Sequence, residues 1–224
     1  MGDIIGIQSD AEDKFSFDAY HASPQGERLG GVIVLQEIFG LDEHVRRDVD
    51  RWALMGYEAI APSLFDRREA GFIAGHDPDG LAAGIAHARA TPLDQALADI
   101  GAVRKVLIER GKVCVVGYCY GGSLAWLAAC QMHGLAAASS YYGSLVQANA
   151  ALEPKCPVIV HLGRLDTGIP ADDVKAAVQG HHPDVPVYIY DDAGHGFNNE
   201  DPARFHAESA FLARQRTLDL FASA

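Results

Sequence analysis

Val113-Cys114-Val115-Val116-Gly117-Tyr118-Cys119-Tyr120-Gly121-Gly122 is the stretch that decides how this chain folds. It opens as a β-branched run, turns through Gly-x-Cys-x-Gly-Gly, and leads into an apolar helical pattern over 123–130. A strand must therefore break sharply into a helix at Cys119. Flanking glycines permit the strained backbone such a corner needs, and a side chain at its tip projects above the end of a sheet. Cys119 also lies near a helix N-terminus, where the dipole favours thiolate over thiol. The residue reads as a nucleophile.

The same rhythm extends in both directions. Short apolar runs at 31–35, 57–61, 112–116, 136–141, 157–162 and 187–190 are continuous rather than alternating, as in strands buried on both faces. Helical patterns lie between and after them at 43–55, 93–110, 120–132, 171–179 and 202–222. The alternation predicts an α/β fold, a mostly parallel doubly wound sheet flanked by helices on both faces, in a single domain over 1–224. Ile5-Gly6-Ile7 and Phe15-Ser16-Phe17 alternate and suit an antiparallel edge. The segment 62–91, with Gly71, Gly75, Pro78, Gly80 and Gly84, reads as loops plus a short helix over one end of the sheet, where substrate contacts are commonly carried. There is no internal repeat and no low-complexity linker.

Composition narrows the function classes. The 224 residues are 49% hydrophobic and 21% charged, enough for a sizeable core. A net charge of −12 without a basic run repels nucleic acid and anionic membrane surfaces. No apolar stretch is long enough to span a bilayer, and Met1-Gly2-Asp3-Ile4-Ile5 lacks the basic start and apolar core of a signal peptide. The expected location is cytoplasmic. Cys114, Cys119, Cys130 and Cys156 have neither the density nor the spacing of a disulfide framework, which fits a reducing compartment. Cys114 and Cys156 read as strand or strand-entry residues, and Cys130 as core.

Ligands of an open α/β sheet bind beyond the carboxyl ends of the strands. Those ends carry Gln36-Glu37-Ile38-Phe39-Gly40, the Cys119 turn, Gly163-Arg164-Leu165-Asp166 and Ala193-Gly194-His195-Gly196-Phe197. The order Cys, Asp, His is that of an α/β-hydrolase triad. In it Cys119 attacks a carbonyl, His195 shuttles the proton, and Asp166 fixes the imidazole tautomer and stabilises the imidazolium. The oxyanion needs preorganised donors, for which the fold offers the backbone N–H groups of Tyr120 and Ile38.

Together, Gln36-Glu37-Ile38-Phe39-Gly40, Gly117-Tyr118-Cys119-Tyr120-Gly121-Gly122, Asp166 within Gly163-Arg164-Leu165-Asp166-Thr167-Gly168-Ile169-Pro170, and His195 within Gly194-His195-Gly196-Phe197 resemble the dienelactone hydrolase family. The similarity runs from about Phe15 to Phe221. It implies an α/β-hydrolase fold, a Cys119-His195-Asp166 triad, a small-molecule ester or lactone substrate, and no metal or organic cofactor. It also implies a role for Glu37, a buried carboxylate that contacts the resting thiol and helps to generate thiolate when substrate arrives. Family members that cleave dienelactones clamp the substrate carboxylate with arginines, one of them four residues after the histidine, where this chain has Asn199. Arg67, Arg68 and Arg89 are the remaining candidates for positive charge, and Phe39, Tyr118 and Phe197 for lining the pocket.

Each of these residues also has a plainer reading. Asp166 suits an Asx turn before Ile169-Pro170, with Asp191 and Asp192 as rival acids. Glu37 suits a surface ion pair with Arg46 or Arg47. His76, His87, His181 and His182 lack the spacing of a metal site and read as solvated loop or helix residues. Tyr141 and Tyr142 alternate faces, so at most one points to the site. On this reading the chain is a carboxylic ester hydrolase, monomeric or homodimeric, with no nucleic-acid or membrane partner. Its rivals are a thiol-based redox-responsive protein and a non-catalytic binding protein on the same scaffold.

Overall fold

The computed structural model describes all 224 residues. It holds eight strands, β1 (Asp3–Gln8), β2 (Ser16–Ala22), β3 (Gly30–Leu35), β4 (Tyr57–Pro62), β5 (Val113–Tyr118), β6 (Ala137–Tyr141), β7 (Val158–Gly163) and β8 (Val187–Tyr190). Six α-helices accompany them, α1 (Glu43–Leu54), α2 (Pro78–Ala90), α3 (Leu93–Ile108), α4 (Tyr120–Gln131), α5 (Ala171–His181) and α6 (Ala207–Ser223). The strand order is β1-β2-β4-β3-β5-β6-β7-β8, in a mostly parallel sheet. The chain divides into two compact units, Met1–Val115 and Val116–Ala224.

In the first unit the alternating N-terminal stretch forms the antiparallel pair β1·β2, from Asp3 opposite His21 to Gln8 opposite Ser16. β2 runs antiparallel to β4, and β3 parallel to β4. β3 and β4 are buried along their whole length, as continuous apolar runs require. Asp42 caps α1 by accepting from the Val45 N–H, and Val45, Val49 and Trp52 form the helix's buried stripe against β2, β3 and β4. The charge at Glu58, buried within β4, is compensated by Arg28 (2.8 Å) and Arg110, and His21 Nε2 lies within hydrogen-bond distance of the same carboxylate (3.0 Å). Without such partners a buried carboxylate would be strongly destabilising.

In the second unit β6, β7 and β8 are parallel neighbours, and every residue of β6 and β7 is buried. α4, which packs on β6, is apolar all round, and each residue from Tyr120 to Cys130 is buried. α6 also meets β6, where the Thr217 hydroxyl lies 2.9 Å from both the Ser139 and Tyr141 hydroxyls.

Two segments depart from the sequence reading. The last helix begins at Ala207 rather than at 202, because Arg204 and Phe205 both donate to the Asp201 carbonyl in a turn and His206 then caps the helix through Ser209. The irregular segment holds a helix of 13 residues, α2, started by the Asp77 cap and by Pro78 in its first turn. Its glycines weaken the helical signal, yet Gly84 is demanded by packing, since a Cβ there would collide with the Ile38 carbonyl. No helix is long and apolar enough to cross a membrane.

Candidate active site

The corner after β5 has the backbone its sequence calls for. Cys119 sits at φ 53° and ψ −111°, a region L-residues rarely enter, at a cost of about 1–3 kcal/mol. The surroundings over-determine this conformation. The Cys119 N–H donates to the Tyr141 carbonyl (3.0 Å), and its carbonyl accepts from the Ser123 N–H (3.0 Å) in the first turn of α4. A Cβ on Gly117 would strike the Gly121 carbonyl and one on Gly122 the Tyr141 carbonyl, so only glycines let the turn close against β6. Cys119 is thus held half-exposed at the head of α4, with Tyr120 as the helix's first residue.

β7 and β8 deliver the partners. Asp166 follows β7, and one carboxylate oxygen accepts from the N–H groups of Gly168 (2.9 Å) and Ile169 (3.1 Å). The other accepts from His195 Nδ1 at 2.7 Å. The Asx turn and the contact to His195 are therefore made by the two oxygens of one carboxylate. Asp191, a rival acid, is held by Arg164 at 2.7 Å instead.

The electrostatics follow from these contacts. Burial by itself would raise the Asp166 pKa, but the hydrogen bond and charge of His195, with the two backbone donors, hold it below the usual carboxylate range. Burial would likewise lower the His195 pKa. Its hydrogen bonds and charge interactions with Asp166 and Cys119 prevail and raise it to about 10. The ring therefore holds its proton more tightly than an ordinary histidine, with Asp166 and Cys119 as its two partners. Tyr142, at φ 39° just past β6, sets its ring 5.1 Å from that of His195 and 5.3 Å from that of Phe197. Tyr141 turns the other way, to Thr217 and to His161 (ring centroids 4.4 Å).

The remaining nominated residues of this unit are packed inside it. Tyr118 and Phe197 are fully buried, Tyr118 4.9 Å from Tyr141 and Phe197 5.0 Å from Tyr190. Asn199, 1% exposed, accepts from the Asp201 N–H through its side-chain oxygen (3.0 Å) and donates its own N–H to the Gly196 carbonyl. The position where the family's clamp is expected thus belongs to a neutral amide built into a loop.

In the first unit Glu37 is 2% exposed, so it is no surface carboxylate, and Arg47 pairs with Glu43. Gln36 bonds to the Glu37 carbonyl (3.2 Å) and accepts from the Leu64 N–H (3.1 Å). Ile38 and Phe39 are also buried. Arg67 differs from Arg68 and Arg89, which are exposed. Its side chain, 6% exposed, is bonded to Asp99 (2.8 Å) and Asp13 and lies over the Phe15 ring, so its guanidinium is committed to holding this unit together. Three of the other histidines pair with separate carboxylates: His76 with Asp42, His87 with Glu69, His182 with Glu153.

Sequence reasoning passed over His161, which is fully buried within β7. Its one signal was a titratable residue inside the apolar run Val158-Ile159-Val160-His161-Leu162.

Comparison with known proteins agrees with this architecture. Residues 17–224 match the dienelactone hydrolase family. The carboxymethylenebutenolidases of Pseudomonas putida and Pseudomonas knackmussii are each 30% identical over 97% of this chain and 95% of their own length. A crystal structure from Klebsiella pneumoniae named "Putative Dienelactone Hydrolase" superposes with a TM-score of 0.84 at 31% identity, covering 99% of this chain and all of the other. With nearly its whole length matched, the chain belongs to the dienelactone hydrolase family and is an α/β-hydrolase enzyme.

Proposed function

We propose that this enzyme hydrolyses a small carboxylic ester or lactone through a thioester on Cys119. The observation that carries the reading is a cysteine strained onto the tip of a strand-to-helix corner, facing an imidazole whose other nitrogen is held 2.7 Å from a buried carboxylate.

The Cys119 thiolate attacks the carbonyl carbon, forming a C–S bond and a tetrahedral oxyanion. The N–H groups of Tyr120 and Ile38 receive that charge, an arrangement favoured because the first amides of a helix point out of its end. As the oxyanion collapses the C–O bond breaks, and the His195 imidazolium gives its proton to the leaving alkoxide. A ring raised to about 10 already holds that proton at neutral pH. Now neutral, His195 takes a proton from water, whose oxygen attacks the thioester. Collapse of this second intermediate breaks the C–S bond, releases the acid and restores the thiolate–imidazolium pair. Asp166 stays ionised throughout, consistent with its lowered pKa. Between turnovers Glu37, buried at the end of β3, keeps Cys119 as a thiol; its carboxylate takes the thiol proton as substrate binds, which yields the attacking thiolate, and returns that proton once the acid has left.

Carboxylate recognition by an arginine at 199 is replaced by an amide, and Arg67 is committed elsewhere, so Arg68 and Arg89 are the nominated residues still exposed for a clamp. The rival redox reading lacks a reactive partner thiol. Cys114 is wholly buried, and burial pushes the thiols of Cys130 and Cys156 up to about 12 and 11.

Replacing Cys119 with Ala is expected to abolish hydrolysis of activated aryl esters and lactones while the circular dichroism spectrum is retained. Iodoacetamide should label Cys119 before any other cysteine. Full activity in Cys119→Ala, or first labelling at Cys114 or Cys130, would overturn the reading.

A further inference from the structure

His76 lies in the first unit, outside the triad, on the segment that leads into α2. Its Nε2 is 2.8 Å from the Asp42 carboxylate, and its ring stacks on Phe39 with centroids 4.0 Å apart and planes 25° from parallel. Phe39 directly follows Ile38 in the loop after β3. The second Asp42 oxygen accepts from the Val45 N–H and caps α1. One imidazole therefore joins the loop to the start of a helix.

The loop depends on such outside support. Gly40, at φ 78°, leaves the strand geometry, and a Cβ there would collide with the Phe72 carbonyl. The contacts that fix the loop come largely from 72–90. Ala74 N–H donates to the Phe39 carbonyl (3.1 Å), Gly40 forms an antiparallel bridge with Ile73, and Gly84 of α2 closes on the Ile38 carbonyl. His76 is the point where this strap gains a side-chain hold, polar on Asp42 and aromatic on Phe39.

We propose that His76 is a positioning residue for the Ile38 N–H donor, acting through the Phe39 ring and the Asp42 carboxylate. The proposal rests on the reading of Ile38 as an oxyanion donor. A donor of that kind works only when its direction is fixed before the charge develops, and displacement of about 1 Å costs on the order of 100-fold in rate. An imidazole wedged between a loop aromatic and a helix-capping carboxylate resists such displacement in two directions at once.

The test compares His76→Ala with His76→Phe, which keeps the stack and loses the hydrogen bond, and with His76→Gln, which keeps a donor and loses the ring. Pre-steady-state bursts with a p-nitrophenyl ester give the acylation rate, steady-state kinetics give KM, and iodoacetamide gives the reactivity of the thiol. In His76→Ala the acylation rate should fall about 10- to 100-fold with KM and alkylation within about twofold of the parent, since alkylation builds no oxyanion. The Phe and Gln variants should fall between. An acylation rate unchanged in all three overturns the proposal. So does a loss that alkylation shares in proportion, because the whole site would then have been disturbed rather than one donor. Activity surviving in Cys119→Ala would instead defeat the underlying reading, whatever the His76 variants do.

Discussion

His161 and His195 belong to the same unit and to neighbouring strands, one inside β7 and the other just past β8, yet they hold protons with opposite strength. His161 is wholly buried, its ring nitrogens 2.9 Å from the Tyr190 hydroxyl and 3.3 Å from that of Thr217. Burial, with the Arg216 cation nearby, pushes its pKa down to about 3. Burial acts in the same direction on His195, but a carboxylate and a sulfur take that pKa to about 10. Hydroxyls satisfy the hydrogen bonds of either ring without offsetting a positive charge, whereas a carboxylate does both. Burial alone therefore does not set how strongly a histidine holds its proton. The charge of the partner on each ring nitrogen does, and that contrast is what the proposed role of His195 as proton carrier rests on.

The most severe way to break this contrast is to remove what separates the two rings. Asp166→Asn leaves His195 with a neutral partner, and kcat/KM should fall about 10³- to 10⁴-fold, with the ring's titration in NMR moving down from about 10. Retained activity together with an unmoved titration would mean that the Asp166 charge is not what sets His195 apart.

Stability against pH separates the rings next. The folded pKa of His195 is raised, so its contribution is complete below 6.5 and is lost as pH climbs towards about 10. For His161 the folded pKa is lowered, so the unfolded chain binds the proton first. Its contribution is present above 6.5 and drains as pH falls towards about 3. His161→Phe should flatten that acid limb, removing a slope of up to about 1.4 kcal/mol per pH unit. It should also cost about 2–4 kcal/mol at neutral pH, because Tyr190 and Thr217 lose a buried partner. Urea unfolding at a series of pH values checks both, and an unchanged acid limb would place the titration elsewhere.

The smallest effect is expected at Arg216, which stacks on Tyr188 at 4.0 Å and donates to the Tyr190 hydroxyl at 3.1 Å. Arg216→Met should let the His161 pKa rise slightly, visible by NMR, and leave ester hydrolysis unaltered. A lowered pKa would reverse the sign assigned to that cation.

These contrasts also show what a sequence carries and what it does not. The strands were legible because continuous runs such as Val158-Ile159-Val160 have one stable use, burial on both faces of a sheet. The Cys119 corner and the strand-end positions of Asp166 and His195 were legible because chain order and glycine placement are local facts. α2 was underestimated because Gly80 and Gly84 serve tertiary packing at the expense of helix propensity. Arg67 looked available beside Arg68, and nothing local announces that Asp99, 32 positions away, encloses its guanidinium. His161 shows the same limit, since its partners Thr217 and Tyr190 lie 56 and 29 positions distant.

The positive φ at Cys119 has an evolutionary consequence. Glycine would occupy that corner without strain, so the protein would gain stability by giving up the sulfur held there. If that sulfur is the proposed nucleophile, selection for a sturdier molecule and selection for a working one pull this position in opposite directions. A descendant that lost its substrate could drift there toward a more stable, silent fold by a single replacement.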